Sequence, residues 1–254
     1  QGTKPASPRT NVWCVARDPV HPDPTGAPCN NPTVYRSINT AIAVAGADDE
    51  IRLAGDSYTE TVSVDKPLKI LGGYSGNTNE WGNMLPGCVS VEPSCSRLDG
   101  ENMRPSLTVQ GAFTVTLNNI HLSRGNVLNL NGGTIMAFGQ GIRLQSGGAA
   151  DVQTISGRWN IAAPGHILID QVTVTALSGT NFAGDGYLNM GMDGVLNVLD
   201  QVTIPKLNMA AGSDPARGLA IAGPGTVNIT NNFIWRAGAM SGTGVTNIAP
   251  GATV

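Results

Sequence analysis

From residue 165 to its end, the chain repeats one short phrase. It runs Gly165-His-Ile-Leu-Ile-Asp-Gln-Val-Thr-Val, then Gly194-Val-Leu-Asn-Val-Leu-Asp-Gln-Val-Thr-Ile, then Gly225-Thr-Val-Asn-Ile-Thr-Asn-Asn-Phe-Ile-Trp, and Gly251-Ala-Thr-Val opens a fourth copy. The glycines stand 29, 31 and 26 residues apart, a spacing typical of stacked repeats. In each copy an alternating apolar pair (Ile167 and Ile169, Leu196 and Val198, Val227 and Ile229) precedes a polar corner. A second alternating pair follows it (Val172 and Val174, Val202 and Ile204, Phe233 and Trp235). The corners hold Asp170, Asp200 and Asn231, and Asn118 stands at an earlier one. Asn and Asp tolerate the left-handed backbone of a sharp corner, and like side chains bond along a stack. A period of two broken by such corners predicts a parallel β-helix with one copy per coil. Asn118, Asp170, Asp200 and Asn231 would then form a corner ladder. The paired apolar residues would point inward and stack on one another.

A solenoid grows along its axis, so 254 residues fit one elongated domain. Residues 1–110 hold 21 of the 33 charged side chains, and residues 111–254 contain no Glu and a single Lys, Lys206. The back half has no basic stripe, and a net charge of −3 gives no general attraction to phosphate, which excludes nucleic acid as a partner. No run of about 18 apolar residues is present, so no segment reads as a membrane span. The polar, proline-rich start is not a secretory signal, and export implies that one has been removed.

Cys14, Cys29, Cys88 and Cys95 all precede the repeats, without CxxC spacing or a His cluster. Three disulfide pairings are open. Cys14–Cys29 with Cys88–Cys95 is preferred because both loops close locally, and disulfides point to an oxidising compartment. Residues 1–32 carry seven prolines and predict an extended arm followed by a disulfide-pinned loop. Val34, Ile38, Ala41, Ile42 and Ala45 share a face at helical spacing. They predict a helix over 33–45, with Thr33 as N-cap and Gly46 as stop. Residues 33–74 comprise this helix and the first rungs, 75–105 an irregular loop, and 106–254 the remaining rungs.

Residues 35–74, YRSINTAIAVAGADDEIRLAGDSYTETVSVDKPLKILGGY, resemble the entrance of secreted right-handed β-helix proteins. Pectin methylesterases, pectate-lyase-like proteins and many bacterial surface proteins share that entrance. The resemblance implies an all-β solenoid whose open N-terminal end is covered by a short capping α-helix. Residues 238–254 are similar to repeats of haemagglutinin- and autotransporter-type passenger domains. The enzymes' later signatures do not carry over. Ser156-Gly-Arg-Trp-Asn echoes LGRPW only superficially, Leu168-Ile-Asp-Gln lacks the Trp and His of W-I-D-H, and Pro164-Gly-His does not complete GHG. No catalytic residue follows from the resemblance.

The residues themselves offer several candidates. Asp170 and Asp200, at corners taken as equivalent, would lie one or two rungs apart, near the carboxylate separation of retaining glycosidases. Interchange with Asn at such corners argues for geometry instead. Asp185 and Asp193 would suit calcium, yet each precedes a Gly as in an ordinary turn, so no cofactor or metal is indicated. His21, His121 and His166 are scattered, without a nucleophile. Arg124, Arg143, Arg158, Arg217 and Arg236 are candidate contacts for an acidic glycan. Trp159, Tyr187 and Trp235, with Phe182 and Phe233, are large for an aliphatic rung; they are candidate sugar-stacking or partner-contact platforms, or else the filling of a widened rung.

The expectation is a non-enzymatic structural or adhesive protein, extracellular or on a bacterial surface, with carbohydrate as a partner. The alternative is a lyase or esterase on acidic polysaccharide, which would gather Asp, Arg or Lys on one face of the middle rungs. For the open C-terminal rung there are two expectations: the chain is a piece of a longer protein, or residues 1–13, through Asn11-Val12-Trp13, clasp that rung of a neighbouring copy into a head-to-tail filament.

Overall fold

A computed structural model describes residues 10–19, 28–31, 33–76, 81–82, 84, 95–130, 132–145, 152–209 and 218–254. It is 52% strand and 3% helix, and its strands form three parallel sheets of seven, nine and eight strands, termed A, B and C here. The chain visits them in a fixed order. Glu50–Ala54, Ser57–Tyr58 and Val62–Val64 make a first circuit through A, B and C, and Leu68–Tyr74, Ser96–Asp99 and Leu107–Gln110 make the second. The third is Thr114–Asn118, Ile120–Ser123 and Val127–Leu130; the fourth is Thr134–Ala137, Ile142–Gln145 and Val152–Ile155. Arg158–Ile161, His166–Asp170 and Thr173–Ala176 form the fifth; Asn181–Ala183, Tyr187–Met190 and Val195–Val198 form the sixth.

Beyond this, single strands round a corner. Gln201–Met209 packs against Asn181–Ala183 and pairs with Tyr187–Met190 through residues 207–209. Its register with Thr226–Trp235 shifts between Ile204 and Lys206, where Pro205 has no N–H to give a ladder. Ala220–Ala222, Ala239–Met240 and Val245–Ile248 complete the described strands.

The apolar alternation turns one side of most strands inward. In sheet B, Leu98, Leu122, Leu144, Ile169, Met190 and Met209 stand in one register row, all buried. Ile167, Ile169, Val172, Leu196, Val198, Val202, Val227 and Ile229 are all buried as expected, but of the set only Val202 and Val227 are register partners. Ile167 faces Ile142 and Leu188, Leu196 faces Val174 and Ile221, and Val202 faces Val227.

The repeated phrase therefore does not mark one circuit. Its first copy covers His166–Asp170 of sheet B and Thr173–Ala176 of sheet C. Its second begins in sheet C, and its third lies within Thr226–Trp235. From the first copy to the second the chain passes through four strands, His166–Asp170, Thr173–Ala176, Asn181–Ala183 and Tyr187–Met190, so the second copy begins one sheet further on. Two of the phrase glycines mark close backbone approaches: a Cβ on Gly194 would lie 2.4 Å from the carbonyl oxygen of Ile169, and one on Gly225 2.1 Å from that of Asp200.

The helix is Ile38–Val44, shorter than the predicted 33–45, and Ser37 rather than Thr33 is its N-cap. Glu60 shortens it by capping from outside. Its carboxylate accepts the N–H groups of Ile38 (2.8 Å) and Asn39 (3.2 Å), while Tyr35 is held in a parallel bridge to Val15. Ile38, Ala41 and Ile42 are buried, and the helix packs on Val12–Val15, Glu50–Ala54 and Val62–Val64.

Cys14 and Cys29 are joined, with Cα atoms 5.7 Å apart. Cys95 is buried, and Cys88 lies outside the described residues, so that pairing is not addressed. Asn11-Val12-Trp13, expected to clasp a neighbour, is committed to its own chain. Val12–Val15 pairs with Glu50–Ala54, and Asp49 accepts from Trp13 Nε1 (2.9 Å) and the Asn11 N–H (2.9 Å). Residues 1–9 lie outside the described residues. The predicted loop over 75–105 contains the strand Ser96–Asp99, whose single inward Leu98 is too short a pattern to stand out among prolines.

Candidate functional site

Outward-facing residues of sheet B form two adjacent register rows. One runs Arg97, His121, Arg143 and Leu168; the other runs Asp99, Ser123, Gln145 and Asp170. Neighbouring strands in such a sheet stand about 4.8 Å apart, so three cationic or imidazole side chains lie in line beside two carboxylates. Arg124, at the corner after Ile120–Ser123, joins them.

Bonds in this strip run between circuits. Arg124 donates from Nε to both oxygens of Asp99 (3.0 and 3.1 Å), and Arg97 Nη2 donates to Ser123 Oγ (2.9 Å). Arg143 pairs with Asp170, and Gln145 Nε2 donates to Gln171 Oε1 (2.9 Å). Burial alone would raise the Asp99 carboxyl. The Arg124 side-chain hydrogen bond, the Glu101 N–H and the charges of Arg97 and Arg124 together hold it below the ordinary carboxylate value. His121 Nε2 is buried without a hydrogen-bond partner among the described residues. Chemically the strip is a set of ionised pairs fastening circuits two to three and four to five. Arg97, His121 and Arg143 are 24 and 22 residues apart, about one circuit, and that spacing was the signal in the sequence.

The expected carboxylate pair is not formed. Asp170 ends a sheet B strand on the way to sheet C, whereas Asp200 follows the sheet C strand Val195–Val198. Asp170 is engaged by Arg143, and Asp200 accepts from Ser178 Oγ (2.7 Å). Asn118 lies at an A-to-B corner and Asn231 within Thr226–Trp235, so the four corner residues are not one ladder. The corner chemistry is as expected locally: Asn118 Oδ1 accepts the Gln140 N–H (2.7 Å), and Asn119 and Gln171 have positive φ, 56° and 53°.

Among the aromatic candidates, Trp159 is 1% exposed and packs inward on Phe182, with ring centroids 6.4 Å apart, which removes it as a surface platform. Phe233 is buried as well. Trp235 is 51% exposed but stands in register with the inward Met209, stacked on Phe233 in the last described circuits. Only Tyr187 faces outward on a sheet, with Lys206 Nζ 5.6 Å from its ring centroid. Asp193 Oδ1 accepts the Gly218 N–H (3.1 Å), and the Asp185 carbonyl accepts from Lys206 Nζ (2.9 Å), so the two serve separate turns. No group of three His, Cys, Asp or Glu that would hold a metal gathers among the described residues. His166, partly buried, is shifted below the usual histidine value by desolvation. Arg236 is exposed, and His21 and Arg217 lie outside the described residues.

Several other outward positions carry uncharged ladders. Asn208 donates to Asn189 (3.1 Å), Asn247 to Asn228 (3.0 Å) and Asn197 to Thr175 (3.3 Å). No helix among the described residues is long and apolar enough to cross a membrane. No family model, curated protein or solved structure matches the chain.

Proposed function

We propose that the chain is a right-handed parallel β-helix acting outside the cell as a structural or adhesive rod, binding a polymer without cleaving it. A path that returns to the neighbouring parallel strand of the same sheet is almost always right-handed, and the Cys14–Cys29 bond suits an oxidising compartment. The observation that carries the reading is the outer strip of sheet B. Its guanidinium and carboxylate groups are bonded to one another across circuits, stiffening the rod rather than lining a cleft. The amide and hydroxyl ladders on the other outward positions are hydrogen-bonding surface for a long polar partner.

A second reading, an enzyme on acidic polysaccharide, is favoured by one feature. His121, with its buried Nε2, stands between two arginines on the middle circuits, where the enzyme alternative requires a charged cluster. Incubating the intact protein with polygalacturonate, methyl-esterified pectin and insoluble cell-wall polysaccharides separates the two. Co-sedimentation with a polymer, without unsaturated ends, released methanol or new reducing ends, supports the rod. Product formation that disappears in His121→Ala overturns it.

A further inference from the structure

We propose that the outward face of sheet C joins two copies of this chain, rod beside rod. Such a pair goes beyond the polymer-binding reading above and forms whether or not a polymer is bound. Charge sets this face apart. Glu50, Arg52, Lys69 and Arg158 lie on strands of sheet A, and the ionised strip lies on sheet B. None of the eight described strands of sheet C contains a charged residue.

Five of those strands, from Val152–Ile155 to Ala239–Met240, stand in consecutive parallel register. Val174, Leu196 and Ile221 point into the core and are buried, so the alternate residues face out. One outward row runs Val152, Thr173, Val195, Ala220 and Ala239; the next runs Thr154, Thr175, Asn197 and Ala222. Leu177 and Leu199, each one position past its strand, continue the alternation as a third row. Val152 is 58% exposed and Leu199 47%, so branched aliphatic side chains reach solvent at both margins of the face. Asn197 Nδ2 donates to Thr175 Oγ1 (3.3 Å), which turns this polar pair toward each other.

Composition and area select the occupant. Sugar rings favour aromatic platforms, and these three rows hold no aromatic residue. Depletion of charge, with Asp193 and Asp200 at the turns on either side of Val195–Val198, matches the core and polar rim of a homodimer interface. A second copy brings the same uncharged rows, so no like charges oppose each other at the centre of the contact. Two such faces pack about 10 Å apart, as in a β-sandwich. Strands about 4.8 Å apart and outward positions about 6.6 Å apart give a face of roughly 24 by 20 Å. Two copies then bury about 1,000 Å2, the lower bound of a specific interface, so the pair is weak and concentration-dependent. A face that meets itself is twofold and closes, which gives a dimer rather than a filament.

The test is sedimentation velocity of the intact protein from micromolar to millimolar concentration. The wild type is expected to pass from monomer to dimer without larger species, and not to weaken as salt rises. Thr175→Glu is expected to weaken pairing by about tenfold or more. Thr116→Glu, the same change on the outward face of sheet A, is expected to alter it less than about twofold. Thr175→Lys is expected to be as weak as Thr175→Glu, and an equimolar mixture of the two to pair again, because opposite charges then face each other. Restored pairing in the mixture excludes misfolding as the cause. A wild type that stays monomeric throughout, an assembly that keeps growing, or a dimer indifferent to Thr175→Glu overturns the proposal. A monomer that instead sediments with cellulose or chitin, and loses this in Thr175→Glu, assigns the face to a neutral polymer and overturns it too.

Discussion

Arg124 reaches across the boundary between two circuits and donates from Nε to both oxygens of Asp99, at 3.0 and 3.1 Å. The two residues belong to neighbouring sheet B strands in parallel register, Ser96–Asp99 and Ile120–Ser123, with Arg124 one position past the second. Asp99 is 1% exposed, so an acid buried in this way depends on its partners to remain charged.

The first expectation is a pH-dependent cost of removing that acid. Asp99 is held below its ordinary value in the folded protein, so its stabilisation is fully present above the unfolded value of about 3.9. It is lost as pH falls through the lowered folded value. Asp99→Asn is expected to destabilise by about 1.5–3 kcal/mol at neutral pH, with the gap to the wild type closing in strong acid. Chemical denaturation as a function of pH measures it; a gap that persists unchanged at the acid end contradicts the assignment.

Gly194→Ala is expected to cost about 1–3 kcal/mol, because the new Cβ meets the Ile169 carbonyl oxygen, a backbone atom that cannot swing aside, at 2.4 Å. Gly218→Ala, where a Cβ finds no atom of the described residues within 4 Å, is expected to change stability by no more than about 0.5 kcal/mol. Thermal unfolding of both variants checks the difference, and equal effects contradict the close approach.

Ile169 is fully buried between Leu144 and Met190 in its row. Ile169→Ala is expected to lose about 2–5 kcal/mol, and Ile169→Asp to expose the neighbouring strands. Hydrogen exchange localises the opening, which should centre on sheet B of circuits four to six.

Replacing Cys14 and Cys29 together by Ser is expected to cost about 3 kcal/mol, from a closed loop with a sequence separation of 15. Mass spectrometry of non-reduced peptides should show the two linked, and a melting midpoint unaffected by the double substitution contradicts a stabilising role.

The inward side of each strand was legible in the sequence, because a period of two fixes which residues face the core. Ile167, Leu196 and Val227 are buried as that pattern requires. The same pattern carries no information about which of three sheets a strand joins. Asp170, Asp200 and Asn231 look alike because every sharp corner favours the same residues, although they stand at different corners. Trp159 failed as an outward candidate for a related reason. Size suggested an outward position for Trp159, but its place between Arg158 and Asn160 turns it inward, where Phe182 accommodates it. The helix face of Ile38, Ala41 and Ile42 was legible, while its start was not, since the cap is completed by Glu60 from a distant turn. Arg97, His121 and Arg143 were obscured because the phrase, at 26 to 31 residues, suggested a longer circuit than the one that brings them together.

Successive copies of the phrase begin in different sheets, so like positions in them are not register partners, and engineered disulfides test this most directly. Thr203 and Asn228 are register partners on an outward face, and parallel neighbours lie within disulfide reach. Asn197 and Asn228 hold the same place in successive copies of the phrase, yet Asn197 faces Thr175 and Ala222, and Asn228 faces Thr203 and Asn247. Oxidation of the intact folded protein should link Thr203→Cys to Asn228→Cys and leave Asn197→Cys and Asn228→Cys unlinked. Efficient intramolecular linkage of the second pair, with none in the first, would contradict the arrangement.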